Sequence, residues 1–240
     1  MLFKIFVFLF FTINSFGAGF PYYYYDIKNT HRQKKAFINI LLPMIKRANK
    51  NIEKERDFIK YFFENAGKNS FRELDEISLA KLIHLFKKYK IKNLFDKDEY
   101  LRKIDAVPAS LAIAQAAVES AWGKSRFVLE ANNIFGHWTY SGKGLVPIDR
   151  AEGKTHTLRI FKTLQASVNA YVLNLNSNAA YKMFRKLREN AHKNKMIFNG
   201  LMASKAMINY SQRKEKYVKL LDAIITSNNL LYYDYKATAL

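Results

Sequence analysis

One carboxylate, that of Glu119, stands in an otherwise apolar helical stretch and is the side chain best suited to chemistry. Pro108 suits a first helical turn, the many alanines favour helix, and Gly123 can adopt the left-handed conformation that ends it. Glu119 is therefore expected within the last turn, where the helix dipole and burial among apolar neighbours both raise its pKa. A carboxyl group that stays protonated near neutral pH can donate a proton to a leaving sugar oxygen.

The helix itself is predicted from residue spacing. Intervals of three and four connect Leu111, Ala114, Gln115, Val118 and Trp122. The alternative for Glu119 is a solvated position on the polar face of this helix, where most charged residues lie. The segment that follows favours the catalytic interpretation.

That segment is a loop of amides and aromatic rings, Asn132-Asn133-Ile134-Phe135-Gly136, followed by Trp138. Asn132 and Asn133 can donate and accept hydrogen bonds at once, which suits an N-acetyl amide, although they could instead only cap local turns. Flat rings match the C–H face of a sugar, so Phe135 and Trp138 are predicted to bind substrate. For Trp122, packing in the core is the favoured interpretation.

Two blocks of the sequence resemble a known family. Residues 117–125 (AVESAWGKS) resemble the helix motif of bacterial β-N-acetylglucosaminidases of glycoside hydrolase family 73, and residues 132–136 resemble that family's next block. The similarity is closest to the Bax-like branch, covers about residues 108–225, and includes a Gly-Leu-Val-Pro turn at 144–147, residues 159–161 and Tyr210-Ser211. Lytic transglycosylases and goose-type lysozymes share the Glu-Ser pair, but the Gly-Leu-Met-Gln block of the transglycosylases is absent.

The resemblance implies an α+β, mostly helical, lysozyme-like fold with a small antiparallel β-lobe and an N-terminal helical extension. It also implies an endo-β-N-acetylglucosaminidase that cleaves peptidoglycan glycan strands, with Glu119 as general acid. A muramidase or lytic transglycosylase acting on the same substrate is the first alternative. A non-enzymatic, basic protein that binds cell wall or nucleic acid is the second.

The second catalytic group is less well indicated. Glu152 lies in a loop that could fold over the cleft, and the resemblance implies a second carboxylate in the β-lobe; Asp149 is the next candidate. An acid in this loop could equally be solvated or paired with Arg150. In a substrate-assisted mechanism the N-acetyl group attacks the anomeric carbon, and the resemblance assigns Tyr210 to an active-site tyrosine that could stabilise the transition state.

The composition indicates which classes of partner and chemistry to expect. Lys and Arg number 40 against 20 acidic residues among 240, a net charge of +20 that suggests a polyanionic partner such as cell wall or nucleic acid. Because the basic residues are dispersed and no nucleic-acid-binding motif is present, nucleic acid is not expected. The absence of cysteine excludes disulfides and thiol catalysis. His137 and His156 lack the spacing of a helical metal pair, so neither a metal nor a cofactor is expected.

The chain divides into five predicted parts. Residues 1–17 have the charge and apolar core of a signal peptide, with an uncleaved anchor as the alternative. Residues 18–29 are predicted as a linker, whose Tyr22–Tyr25 run forms a packed or sticky arm in preference to a sugar-contacting one. A helical subdomain follows over 30–105, then the catalytic domain over 106–230 and a tail over 231–240. We expect an exported monomer of the periplasm or cell envelope, without a transmembrane domain once the signal is removed.

Secondary structure is predicted from periodicity. A helical pattern runs from 30 to 65, kinked or divided at Pro43, and further helices cover 73–89 and the residues after Asp96. The alternation of residues 155–161 predicts a strand in a two- or three-stranded lobe. Helices resume from Leu164 and end with one after Ser211 that carries Tyr217 on its apolar side.

Overall fold

The computed structural model describes residues 19–68, 71, 74–140, 144–147, 150, 153, 155–210 and 214–235. Two 3₁₀ turns, Ala179–Tyr181 and Lys205–Asn209, join helices in the C-terminal half. The helices of the described chain are α1 Tyr22–Tyr25, α2 Thr30–Lys68, α3 Glu76–Tyr89, α4 Lys97–Lys103, α5 Ala109–Glu119, α6 Arg126–Ala131, α7 Leu164–Ser177, α8 Lys182–Lys193, α9 Gly200–Ser204, α10 Glu215–Ser227 and α11 Tyr232–Tyr235.

Helix α5 forms the centre of the molecule. Its residues from Ala109 to Ala117 are all buried, and it packs against α2, α9, α10 and α11. Small side chains permit close approach: a Cβ on Gly200 would lie 2.0 Å from the Ser110 Oγ and 2.9 Å from the Leu111 nitrogen, so α9 lies directly on α5. A helix buried on all sides must be apolar all round, which explains the run of alanines.

Helix α2 continues through Pro43 as one helix of 39 residues, so of the two predicted outcomes, a kink or a division, the division is wrong. Proline removes one backbone hydrogen bond. Burial compensates, because one face of α2 is covered by α4, α5 and α7 along its length. That face carries Phe37, Leu41, Ile45, Ile52 and Ile59, each 6% exposed or less.

A charged cluster connects the predicted helical subdomain to the rest of the chain. The Asp105 carboxylate lies 3.8 Å from Arg56 of α2, and 3.6 Å from Arg188 and 2.9 Å from His192 of α8. Arg188 is only 2% exposed, and its guanidinium also donates to the carbonyls of Arg102 and Ala106. Residues on both sides of position 105 therefore belong to one core.

The β-lobe is small. Strands β1 (Trp138–Thr139) and β2 (Thr157–Leu158) pair antiparallel with Trp138 opposite Leu158, and Leu145 forms a bridge to Leu158. Strand β2 is shorter than the predicted 155–161, because the Asn133 amide bonds to the His137 nitrogen and the Arg159 carbonyl, which would pair next in the ladder, and the Phe161 nitrogen bonds to Ala131. The predicted α+β class, mostly helical with a small antiparallel lobe, is confirmed.

Both ends of the described chain have residues that pack on the core. Phe20 and Tyr24 are 4% and 0% exposed, whereas Tyr22 and Tyr23 are 87% and 59% exposed, so the segment before α2 packs through part of the tyrosine run. Near the other end, Asp234 of α11 accepts hydrogen bonds from the backbone of Ser110 and Gly200, both at 3.0 Å. Within the described ranges, none of the helices combines the length and apolarity needed to cross a membrane.

Candidate active site

Glu119 is the last residue of α5, as the motif predicted, with Ser120 as the C-cap. The helix ends before Trp122, so the helical spacing predicted for that tryptophan is wrong. Gly123 is left-handed as expected (φ +80), but Ala121 and Trp122 before it are also left-handed, at φ +49 and +55. A tight left-handed turn at residues 121–123 therefore follows Glu119 and Ser120.

This left-handed turn is strained. A non-glycine residue in the left-handed region costs about 1–2 kcal/mol, and such strain persists only where the surroundings fix it. The Ser120 hydroxyl accepts from the Gly123 nitrogen at 2.7 Å, and the Trp122 nitrogen donates to the Ala117 carbonyl at 2.8 Å. Outside the turn, the Trp122 ring packs edge-on against Phe37 at 5.2 Å, as the core interpretation of Trp122 predicted.

A chain of hydrogen bonds leads into the Glu119 carboxyl. The Tyr171 hydroxyl donates to the Gln115 Oε1 at 2.7 Å, and the Gln115 Nε2 donates to the Tyr217 hydroxyl oxygen at 3.1 Å. The Tyr217 hydroxyl then donates to the Glu119 Oε1 at 2.7 Å. Gln115 lies one helical turn before Glu119, so both face α10 and its Tyr217.

Burial raises the pKa of Glu119 above its ordinary value, and the hydrogen bond from Tyr217 opposes part of that rise. Burial and the Glu119 charge also raise the pKa of Tyr217, so this phenol remains a donor. Burial thus shifts this carboxyl towards the neutral form relative to an exposed glutamate, and Tyr217 orients one of its oxygens.

Tyr210 lies one layer behind this pair. Its hydroxyl donates to the Phe135 carbonyl at 3.2 Å, and its ring stacks parallel on Tyr217 with centroids 5.6 Å apart. Burial, then the charge of Glu119, raises the pKa of Tyr210 well above its ordinary value. The structure thus brings Tyr210 close to Glu119, while the direct contact comes from Tyr217. Sequence reasoning missed Tyr217, because a tyrosine at helical spacing on an apolar face indicates core.

The other carboxyl oxygen faces the loop after α6. A Cβ built on Gly136 would lie 4.0 Å from the Glu119 Oε2. Gly136 has φ +66, where glycine carries no steric penalty. The Glu119 Oε2 thus lies beside the glycine backbone of this loop.

Asn132 and Asn133 are buried and brace the loop. Asn132 caps α6 in a left-handed conformation, accepts from the Gly19 nitrogen at 2.8 Å and donates to the Phe161 carbonyl at 3.1 Å. The Asn133 amide donates to the carbonyls of His137 and Arg159 and accepts from the His137 nitrogen. These bonds correspond to the capping alternative. Direct contact of either amide with substrate remains a prediction.

The two predicted sugar-binding rings differ in exposure. Phe135 is 3% exposed and stacks on Tyr171 with centroids 3.9 Å apart, so it has no open face. Trp138 is 54% exposed, and its ring lies against His156 at 3.8 Å. A sugar contact by Trp138 therefore remains a prediction, and so does one by Phe135, whose carbonyl accepts the Tyr210 hydrogen bond.

The predicted second carboxylates, Glu152 and Asp149, both lie outside the described residues. His137 is in a closed environment, where burial, with Arg159 nearby, lowers its pKa to about 4. In the part of the chain that the structure describes, no group of three or more His, Asp or Glu side chains could hold a metal ion.

Three comparisons with known proteins give matches. A family model described as "Glucosaminidase: Mannosyl-glycoprotein endo-beta-N-acetylglucosaminidase" matches residues 97–230, more than half of the chain. Protein bax of Escherichia coli (strain K12) is 29% identical over 204 residues, which cover 83% of this chain and 71% of that protein. The catalytic domain of the autolysin Auto from Listeria monocytogenes shares 22% identity over 73% of this chain and 87% of its own, with a TM-score of 0.42.

Proposed function

Since the chain belongs to the glucosaminidase family of glycoside hydrolases, we propose that it is an exported endo-β-N-acetylglucosaminidase with Glu119 as general acid. Its substrate is the glycan strand of peptidoglycan. The non-enzymatic alternative is not retained, because the chain is a glycoside hydrolase.

The observation that carries the proposal is the environment of Glu119. Burial raises its pKa, Tyr217 holds one oxygen, and the other faces the glycine of the amide-rich loop. A neutral carboxyl directed at the glycosidic oxygen is what bond cleavage requires, because the leaving alcohol must take up a proton as the bond breaks. Exposed Trp138, across the loop, supplies a ring on which the sugar can stack.

Two routes complete the reaction. In the first, Glu152, or Asp149 in its place, activates water or stabilises the oxocarbenium-like transition state. In the second, the substrate's own N-acetyl group attacks the anomeric carbon. The enzyme then supplies only the acid and a polar stabiliser, for which Tyr210 and Tyr217 are placed beside Glu119. We favour the second route, because the Tyr217 hydroxyl contacts the acid directly and the Tyr210 ring stacks on Tyr217.

The routes are separated by two variants. Under the two-carboxylate mechanism Glu152→Gln removes most of the rate and the acidic limb of the pH–rate profile. Under the substrate-assisted mechanism that variant keeps substantial activity, and Tyr210→Phe is the more damaging change. An inactive Glu152→Gln variant together with an active Tyr210→Phe variant would favour the two-carboxylate mechanism instead.

The reaction itself is tested by digesting purified peptidoglycan sacculi with the enzyme and identifying the products by mass spectrometry. New reducing ends at N-acetylglucosamine support the proposal. New ends at N-acetylmuramic acid indicate a muramidase, and anhydro products indicate a lytic transglycosylase. Glu119→Gln serves as the control for contaminating activity. Export is checked by cell fractionation of the tagged full chain.

A further inference from the structure

The segment before α2 contacts the backbone that follows the helix carrying Glu119. We define the N-terminal arm as residues 19–25 (GFPYYYY). It touches both left-handed turns that flank α6, namely 121–123, which follow Glu119 and Ser120, and Asn132 before the loop that faces the Glu119 Oε2.

The arm contacts these turns through specific hydrogen bonds. The Tyr24 hydroxyl donates to the Trp122 carbonyl, and the Tyr25 hydroxyl donates to the Gly123 carbonyl at 3.3 Å. The Tyr25 oxygen in turn accepts from the Phe20 nitrogen at 2.9 Å. These bonds give donors to two carbonyls of the strained turn that lie beyond the end of α5.

Aromatic packing closes the same junction. A Cβ on Gly123 would lie 2.6 Å from the Phe20 ring, so the turn and the arm are in direct contact. The Phe20 ring lies 4.9 Å from that of Tyr24 and 5.4 Å from Phe37, and Phe37 in turn packs on Trp122. Burial raises the pKa of Tyr24 to about 12, so its hydroxyl remains a donor at any physiological pH.

Strained backbone persists at a functional site only when its surroundings over-determine it. Ala121 and Trp122, two consecutive non-glycine residues in the left-handed region shortly after the acid, form such a case, and the arm donates hydrogen bonds to the carbonyls of Trp122 and Gly123. We propose that the N-terminal arm, chiefly through Tyr24, is a positioning element that holds Glu119 in its buried orientation. This inference rests on the proposed role of Glu119 as general acid.

The arm contains its own controls. Four tyrosines follow one another, but Tyr22 and Tyr23 are 87% and 59% exposed, while Tyr24 is fully buried. Tyr24→Phe and Tyr25→Phe remove one hydroxyl each and keep the ring. Tyr22→Phe and Tyr23→Phe make the identical chemical change where the side chain faces solvent.

The experiment measures kcat, KM, thermal unfolding and the pH–rate profile of these four variants in the full chain, on soluble glycan strands and well below the unfolding temperature. We expect Tyr24→Phe to lower kcat roughly tenfold with little change in KM, since a small displacement of a catalytic group is costly. We also expect its alkaline limb to move to lower pH, because a looser turn admits water to Glu119 and its pKa falls. Tyr22→Phe and Tyr23→Phe should behave as wild type.

The proposal is overturned if Tyr24→Phe loses thermal stability while its kcat and alkaline limb match those of Tyr22→Phe. In that case the arm only stabilises the fold. If Tyr24→Phe does not fold, Tyr25→Phe, which lies nearer the surface, is held to the same criteria. Failure of the underlying function gives a different result, because Glu119→Gln would then retain activity whatever the arm variants do.

Discussion

Glu119 should make the protein less stable as the pH rises. Its pKa is raised in the folded state by burial, so its contribution to stability is fully present below the unfolded pKa and is lost as the pH rises through the folded pKa. Glu119→Gln removes this loss of stability at high pH, because glutamine does not ionise. We expect the variant to lose about 10²–10⁴-fold in activity, yet to unfold at a higher temperature than wild type at pH 8 and at the same temperature at pH 4. Calorimetry at both pH values tests the sign. A variant less stable at pH 8 would mean that the carboxylate is stabilising.

Tyr217 should determine the pH above which the enzyme loses activity. Its hydrogen bond lowers the pKa of Glu119, so Tyr217→Phe should move the alkaline limb to higher pH. Loss of the oriented oxygen should cost roughly tenfold in kcat, equivalent to about 1.4 kcal/mol. Tyr210→Phe, which breaks a bond to a carbonyl, should leave that limb in place. Exposed Tyr140 provides the neutral Tyr→Phe control. If the alkaline limb moves in Tyr210→Phe and not in Tyr217→Phe, then Tyr210 is the tyrosine that sets the pKa of Glu119.

The rings of Trp138 and Phe135 should separate binding from folding. Trp138→Ala should raise KM with little change in unfolding temperature, because its ring is half exposed. Phe135→Ala should instead cost about 3–5 kcal/mol of stability, as expected for a buried phenylalanine. Michaelis kinetics and denaturant unfolding of both variants test this. If Trp138→Ala also unfolds early, the tryptophan belongs to the core.

Residue-level prediction succeeded where a motif carried the information. The position of Glu119 at the end of α5 was predicted, because an acid in apolar surroundings departs from the ordinary position of a charge; its catalytic role stays a prediction. The contact of Tyr217 with Glu119 was missed and the burial of Phe135 was not foreseen, because an aromatic residue gives the same pattern whether it packs, binds or positions an acid. Their roles depend on Tyr171 and Gln115, which come together only through tertiary contacts.

Among the elements, the contact between α9 and α5 leaves no space for a side chain. Gly200→Ala would place a methyl group 2.0 Å from the Ser110 Oγ, so we expect destabilisation of about 1–3 kcal/mol. The matched control is Gly67→Ala in α2, where nothing lies within 4 Å and the better helix propensity of alanine should stabilise by up to about 1 kcal/mol. Urea titrations should therefore move in opposite directions. Equal midpoints would show that α9 can shift away from α5.

Elements themselves were predictable where periodicity was strong, as in α2, α3, α7 and α10. Two features of the elements were not predicted from periodicity. Helix α2 continues past Pro43 because its buried face is covered along its length, and periodicity does not report tertiary cover. Strand β2 is short because the Asn133 side chain bonds to the Arg159 carbonyl and the Phe161 nitrogen bonds to Ala131, and an alternating pattern does not reveal such partners.

Across the whole molecule, Asp105 joins α2, α8 and the segment before α5. Burial acts to raise the pKa of Asp105, but hydrogen bonding to His192 and the charges of Arg188 and Arg56 lower it to about 2. Its contribution to stability is present above the ordinary pKa of 3.8 and is lost as the pH falls towards 2.

Asp105→Asn should therefore cost about 3–5 kcal/mol at pH 7, since it leaves buried Arg188 without its carboxylate. The difference from wild type should shrink in acid. Asp57→Asn, whose partner Lys60 is also exposed, should change stability by less than about 1 kcal/mol. Chemical denaturation at pH 7 and pH 3 tests both variants. A cost at pH 3 as large as that at pH 7 would contradict the electrostatic account.

The two ends of the described chain hold opposite ends of α5, and this has a consequence for the order of events during synthesis. Gly19 and Tyr24 bond to residues 113 and 98 positions later, beside the end of the helix that carries Glu119. At the helix start, about 16 Å away, Ser110 bonds to Asp234, 124 positions further on. A chain is made from its N-terminus, so the arm exists long before its partners, and the start of α5 is capped only once Asp234 has emerged. A nascent chain can thus contain Glu119, Tyr210 and Tyr217 and still lack a secured catalytic helix, and full activity should not appear before Asp234 is in place.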